Sequence, residues 1–390
     1  MYRTRYPDQP RIDAHVHVGR FTHESVWPAW LDLRARVLRE VGADVAAFVE
    51  LDGGACMPQW THQPEAGLRR VRQQGQGRFY PTLTDYRPAQ GLNAARPNEV
   101  ASRLEQGFVG WKWHWGASFN GGPRARYGLL SDSYYAPFLA AMERAGMPLL
   151  CLHVEAPHGD SRAQAQALYT ILERYPKLAV VQAHFGRQRH GTLEQHARLF
   201  DLYPNFYREL STTAQWLTTW TSHTEARDFL IRYSDRILYG TDNMSRHSGS
   251  DPLGIAWYVR KYHLQFQWLE TFDQVETRGI GAAHARMPER VRGLELPLPV
   301  LRQIYWENAL RVIPHLRAGL GALGYAVGEA PQPAPAPPAS APIEPTHRAT
   351  RWLGIQDNLL LRTDQADIKS IPEPNRSEIR DAILRIGGYF

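Results

Sequence analysis

The sequence predicts an α/β protein, a (β/α)8 TIM barrel with extra helices and a C-terminal extension. Three observations predict it. Eight short apolar runs alternate with helix-periodic segments between Arg11 and Gly240, the signature of a parallel sheet wound with helices. The runs are apolar on both faces, as parallel strands covered by helices must be. Polar residues, histidines above all, recur where the runs end, and in an eight-fold barrel all such ends meet on one rim.

Each element has its own warrant. Arg11 to Val18 reads as the first strand, Val45 to Glu50 (VAAFVE) as the second and Arg78 to Leu83 (RFYPTL) as the third. Phe108 to Trp113 (FVGWKW), Pro148 to Val154 (PLLCLHV), Leu178 to Ala183 (LAVVQA), Asn205 to Ser211 (NFYRELS) and Arg236 to Gly240 (RILYG) supply the other five. Between them, helical spacing falls on Leu31 to Glu40, Glu65 to Gln73, Asn98 to Gln106, Ser133 to Ala145, Ala163 to Tyr175, Leu193 to Leu202 and Thr224 to Tyr233. Asn98 is an N-cap type of residue, Gly146 a helix stop, and Pro176 ends the helix before it. The stretch from Asp251 to Val300 is long, aromatic and charged, and is expected to carry extra helices.

The bulk composition narrows the class. A chain of 390 residues, 43% hydrophobic, can bury one large core. The formal charge of +6 is spread as scattered arginine rather than as a basic run, so an anionic small molecule is a better expectation than a nucleic acid. Two cysteines, Cys56 and Cys151, make no disulfide framework, which suits a reducing cytoplasm. No apolar run approaches the length of a membrane span, and the polar N-terminal stretch lacks the apolar segment of a secretion signal.

The chemistry concentrates in the first strand. In Ile12-Asp13-Ala14-His15-Val16-His17 the two histidines are two residues apart and share one face. His153 ends the fifth run, His184 the sixth, and Asp242 follows the eighth in Gly240-Thr241-Asp242-Asn243. Singly, each reads equally well as a hydrogen-bonded strand-end group. Together, His15, His17, His153 and Asp242 bring three imidazoles and a carboxylate to one rim. That donor set suits Zn²⁺ and tolerates Mn²⁺ or Fe²⁺. Lys112 and His114 end the fourth run on one face, with Trp111, Trp113 and Trp115 on the other, where packing is the expected role. Lys112 and His114 are candidate substrate contacts. Glu155 and Arg187 are two more, the first able to orient a ligand or bound water and the second to hold a carboxylate in two-point fashion; a surface charge for Glu155, and a helix cap or a pair with an acid for Arg187, are equal rivals.

The segments IDAHVHVG, GWKWH, LLCLHVEA, VVQAHFGR, RILYGTDN and LRQIYWENALRVIP resemble the amidohydrolase superfamily, in its amidohydrolase-related branch, over Arg11 to Pro314. The resemblance implies His15, His17, His153 and Asp242 as metal ligands. It implies His184 as a catalytic or supporting histidine close to the substrate. Many members hold a second metal through a carboxylated lysine, and Lys112 stands at a position able to play that part. Its rival role is contact with a substrate anion or an acidic side chain.

Three functions stay open on this reading. The leading one is metal-dependent hydrolysis of an amide, ester or lactone, with Asp242 taking a proton from water and His184 acting on the substrate. The second is non-oxidative decarboxylation of an unsaturated or aromatic acid on the same site. The third is an inactive barrel used as a binding module. The catalytic domain is expected over residues 1–328. A Pro/Ala-rich linker follows over 329–347, then a tail over 348–390 with Trp352, Leu359, Leu360 and Leu361. The tail is expected to dock on its own barrel or on a second subunit of a homo-oligomer.

Overall fold

The computed structural model describes residues 2–17, 36–50, 77–85, 97–115, 130, 131, 133, 135–154, 161–187, 193–211, 217, 221–244, 252–276 and 289–328. The expected helix at Glu65 to Gln73, the linker and the tail lie outside them.

The strands form parallel ladders in the expected order. β1 (Arg11–His17), β2 (Val45–Glu50) and β3 (Phe79–Pro81) pair in sequence. β4 (Leu83–Asp85), β5 (Trp111–Trp115), β6 (Leu149–Val154), β7 (Val180–Gln182), β8 (Phe206–Glu209) and β9 (Ile237–Leu238) pair likewise. β10 (Asn243–Met244) returns to β1, with Val16 opposite Asn243 and His17 opposite Met244.

Two expected strands are interrupted. The third is divided at Thr82 into β3 and β4, and backbone bonds from Val109 N–H to Pro81 O (3.0 Å) and Leu83 N–H to Gly110 O (2.8 Å) carry the sheet across the break. The eighth, expected over Arg236 to Gly240, is short, at β9, and pairing with β1 resumes past its expected end, at β10. There the N–H of Ala14 bonds Tyr239 O (3.0 Å) and the N–H of Asp242 bonds His15 O (2.8 Å). β1 is thus flanked by β2 on one side and by β10 on the other. This is the (β/α)8 arrangement, with eight strand positions made of ten segments.

Helices fill the gaps as periodicity requires. Val100–Gln106, Ala136–Ala145, Ser161–Arg174, Leu193–Leu202 and His223–Arg232 each follow a strand. Gly146 ends its helix with φ 71°, the left-handed stop that glycine takes without strain. Asn98 does not cap its helix, because Pro97–Glu99 already form a 3-10 turn that leads into it. Ser222 is a cap the sequence reading overlooked: its side chain accepts the Glu225 N–H while Glu225 returns to Ser222. Of the segment at Leu31 to Glu40, the described part is a π-helical turn at Val37–Val41. Trp111 packs as expected, buried edge-on against Phe138 with ring centroids 4.5 Å apart.

The region after β10 contributes the long helix Pro252–Glu270 and an antiparallel pair, β11 (Gln274–Glu276) with β12 (Arg290–Arg292). The closing helix runs over 298–312 and is π-helical at Gln303–Glu307. The long helix reaches the start of β1. Its last residue, Glu270, meets Arg11 at 3.1 Å, with both side chains fully buried. Thr4 Oγ1 (2.8 Å), Arg5 N–H (2.8 Å) and Tyr305 OH (2.7 Å) also donate to that carboxylate. The Arg11 guanidinium lies over the rings of Phe266 and Tyr305, 4.5 and 4.6 Å from their centroids. Among the described residues, no helix is long and apolar enough to cross a membrane.

Candidate metal centre

At the other end of β1 the backbone converges four elements on His15. β1 supplies His15 itself, fully buried. The 3-10 turn Ala183–Arg187 after β7 supplies His184. β8 ends in Glu209, and the turn between β9 and β10 carries Asp242.

One ligating atom each of His15, His184 and Asp242 lies within 4.8 Å of the others, and all three residues are buried. His15 Nε2 faces Asp242 Oδ1 at 3.3 Å. The two imidazole rings are 5.0 Å apart, tilted by 34°. His15 Nδ1 lies 2.8 Å from Glu209 Oε1, and His184 Nδ1 lies 2.6 Å from Ser211 Oγ. Two imidazole nitrogens and a carboxylate oxygen gathered this closely, away from water, form a donor set that fits a divalent cation.

The local backbone is unusual at the same residues. His184, Phe185 and Asp242 have φ of 54°, 53° and 52°, a left-handed region that non-glycine residues enter at some cost. Interlocking hydrogen bonds hold the Asp242 turn. The Asp13 carboxylate accepts Thr241 N–H (3.0 Å), Thr241 Oγ1–H (2.6 Å) and Tyr262 OH. Burial pushes Asp13 up to about 6, against the pull of those donors. Lys261 Nζ donates to Asp242 O (3.1 Å) and Gln265 Nε2 to Gly240 O (3.2 Å). The helix Pro252–Glu270 therefore serves both ends of the barrel.

Gly240 has to be a glycine. A Cβ there would stand 2.5 Å from Glu209 Oε2 and 3.1 Å from the Cβ of His15. Its absence lets the Glu209 carboxylate reach from β8 across the β9 position to β1.

Of the residues expected from sequence, the structure brings His15, His184 and Asp242 together. Lys112 is fully buried on β5. The side chains of His17, His114, His153 and Arg187, and the whole of Glu155, lie outside the described residues. Their backbones, where described, put His17 at the end of β1 and pair His114 with His153 across β5 and β6. Sequence reading missed Asp13, Glu209 and Ser211. Glu209 and Ser211 carried a usable signal, since polar residues at the end of the seventh run obey the rule that selected His153 and His184. A cavity of about 550 Å³ lined by Pro10, Trp306, Leu310 and Tyr325 lies by the start of β1 and borders none of the cluster residues.

Fold and cluster define a (β/α)8 protein with a buried His–His–Asp site at the C-terminal ends of its strands. A family model described as amidohydrolase matches residues 12–314, and the chain belongs to that family. An uncharacterised TIM-barrel protein from Bordetella bronchiseptica shares 14% identity, with 80% of this chain and 99% of that one covered, at a TM-score of 0.45. A dihydroorotase from Campylobacter jejuni shares 15% over 82% and 84%, at 0.40. A 5-carboxyvanillate decarboxylase from Novosphingobium aromaticivorans, solved with manganese and a nitrobenzoic acid, shares 14% over 80% and 98%, at 0.43. No curated protein matches the sequence.

Proposed function

We propose that the chain is a metal-dependent hydrolase. It cleaves an amide, ester or lactone bond in a small anionic or planar molecule, with one divalent cation, Zn²⁺ by preference, held by His15, His17, His153 and Asp242. The observation that carries this reading is the convergence of buried donor atoms from His15, His184 and Asp242 within 4.8 Å. When bound, the cation supplies a Lewis acid and lowers the pKa of a water molecule towards ~7.

The chain's own residues do the rest. Asp242 accepts the proton of the attacking water. His184, hydrogen-bonded through Nδ1 to Ser211, polarises the substrate carbonyl or protonates the leaving group. Lys112, His114, Glu155 and Arg187 are the residues we assign to substrate binding.

Elemental analysis of chelator-free protein tests the metal: about one zinc per chain is expected. Hydrolysis of a panel of lactones, esters and amides should vanish on chelation and return with zinc. Protein that neither holds nor responds to a divalent metal would overturn the reading. Release of CO₂ from an aromatic acid without addition of water would replace hydrolysis by decarboxylation.

A further inference from the structure

We infer that Glu209 is the positioning residue of this site, selecting which nitrogen of His15 is presented to the cation; the inference rests on the metal-dependent reading above. Glu209 is 1% exposed. Its Oε1 accepts the His184 backbone N–H (2.6 Å) and the Ser211 hydroxyl (2.6 Å), and lies 2.8 Å from His15 Nδ1. Its Oε2 accepts the Ser211 backbone N–H (2.5 Å). One carboxylate thus joins β1, the turn after β7 and its own turn.

The consequence for His15 is chemical. A carboxylate has no proton to give, so Nδ1 must be the donor in that contact. A neutral imidazole with its proton on Nδ1 carries its lone pair on Nε2. Nε2 is the atom that faces Asp242 Oδ1 at 3.3 Å. Glu209 therefore fixes both the tautomer and the ring orientation, and its negative charge makes Nε2 a stronger donor. Its hold on the His184 N–H also pins the residue whose φ is 54°.

A purely structural carboxylate would be built differently, and this barrel holds one for comparison. Glu270 is buried against the guanidinium of Arg11. Among the described residues, Glu209 has only the histidines His15 and His184 within ion-pair distance. Its hydrogen bonds run instead to the ring of one cluster histidine and the backbone N–H of another.

The full-length chain as wild type, Glu209→Gln and Ser211→Ala tests this, with Zn²⁺ as probe in competition with a chromophoric chelator. Glu209→Gln should weaken zinc binding by ~10–100-fold, the scale for a lost partner behind a ligand histidine. Ser211→Ala keeps the Glu209–His15 contact and should bind close to wild type. Equal affinity in wild type and Glu209→Gln would overturn the inference, as would equal losses in both variants. Absence of zinc binding by the wild type would overturn the metal reading and this inference with it. Long-range ¹H–¹⁵N spectra of the zinc-loaded wild type need no variant to fold. They should show His15 protonated at Nδ1 and ligated at Nε2, and the reverse pattern would overturn the inference.

Discussion

Arg11 begins β1 and His15 stands near its other end, and each meets a buried glutamate. At the Arg11 end, Glu270 has a permanent cation at 3.1 Å, with hydroxyl and backbone donors around it. At the His15 end, Glu209 and Asp242 flank an imidazole, whose charge depends on protonation. The first arrangement is complete as soon as the chain folds, and it ties the N-terminal segment to the long helix. The second gathers acceptor atoms of three residues, and among the described residues no lysine or arginine side chain lies within ion-pair distance of Glu209. In (β/α)8 barrels the N-terminal ends of the strands serve stability and the C-terminal ends serve chemistry. Here the division is visible along a single strand.

Arg11→Met should expose the contrast most strongly. It leaves Glu270 buried without its cation, a change that costs ~3–5 kcal/mol. Urea unfolding should record that loss, while zinc content of the folded fraction stays at the wild-type level. A loss no larger than that of a surface substitution would erase the distinction between the two ends.

The long helix that links both ends gives a pH test. His263 lies buried on it, and burial holds its pKa down, at about 4. In the unfolded chain an ordinary histidine titrates near 6.5. The folded state thus favours the neutral ring. Its contribution is fully present above about 6.5 and is lost as pH falls towards about 4, on the order of 3 kcal/mol in all. Wild-type stability should fall across that window, and His263→Gln should fall less. Parallel curves for the two proteins would remove His263 as a source of acid sensitivity.

His184→Asn sharpens the comparison from the other side. Turnover should drop ~10²-fold, the scale of one positioned acid or base, with zinc content and unfolding midpoint near wild type. Loss of zinc together with activity would make His184 a ligand instead, in line with its place in the cluster.

Much of the barrel was legible because local signals agree with the global fold. Leu193–Leu202 has the bounds its periodicity gave, and Gly146 ends its helix as expected. The interrupted strands were not legible. A break such as Thr82 or the turn at 239–242 is set by which neighbours supply hydrogen bonds, and those neighbours are remote in sequence. The extra region after β10 was expected to be helical, but nothing in its periodicity foretold that Tyr262, Lys261 and Gln265 would hold the Asp242 turn.

The sequence alone determined the fold class and the residue types at the strand ends, including His15, His184 and Asp242. Strand period and helix period are local properties, and a parallel barrel converts position along a strand into position on a rim. Tertiary structure decided how those residues meet. The Glu209–His15 contact joins side chains 194 positions apart in the chain, and it exists only because Gly240 leaves room between them. A one-dimensional pattern can show that a polar group ends a strand. It cannot show which other strand's polar group it will meet, since that depends on the register and curvature of the whole set of strands.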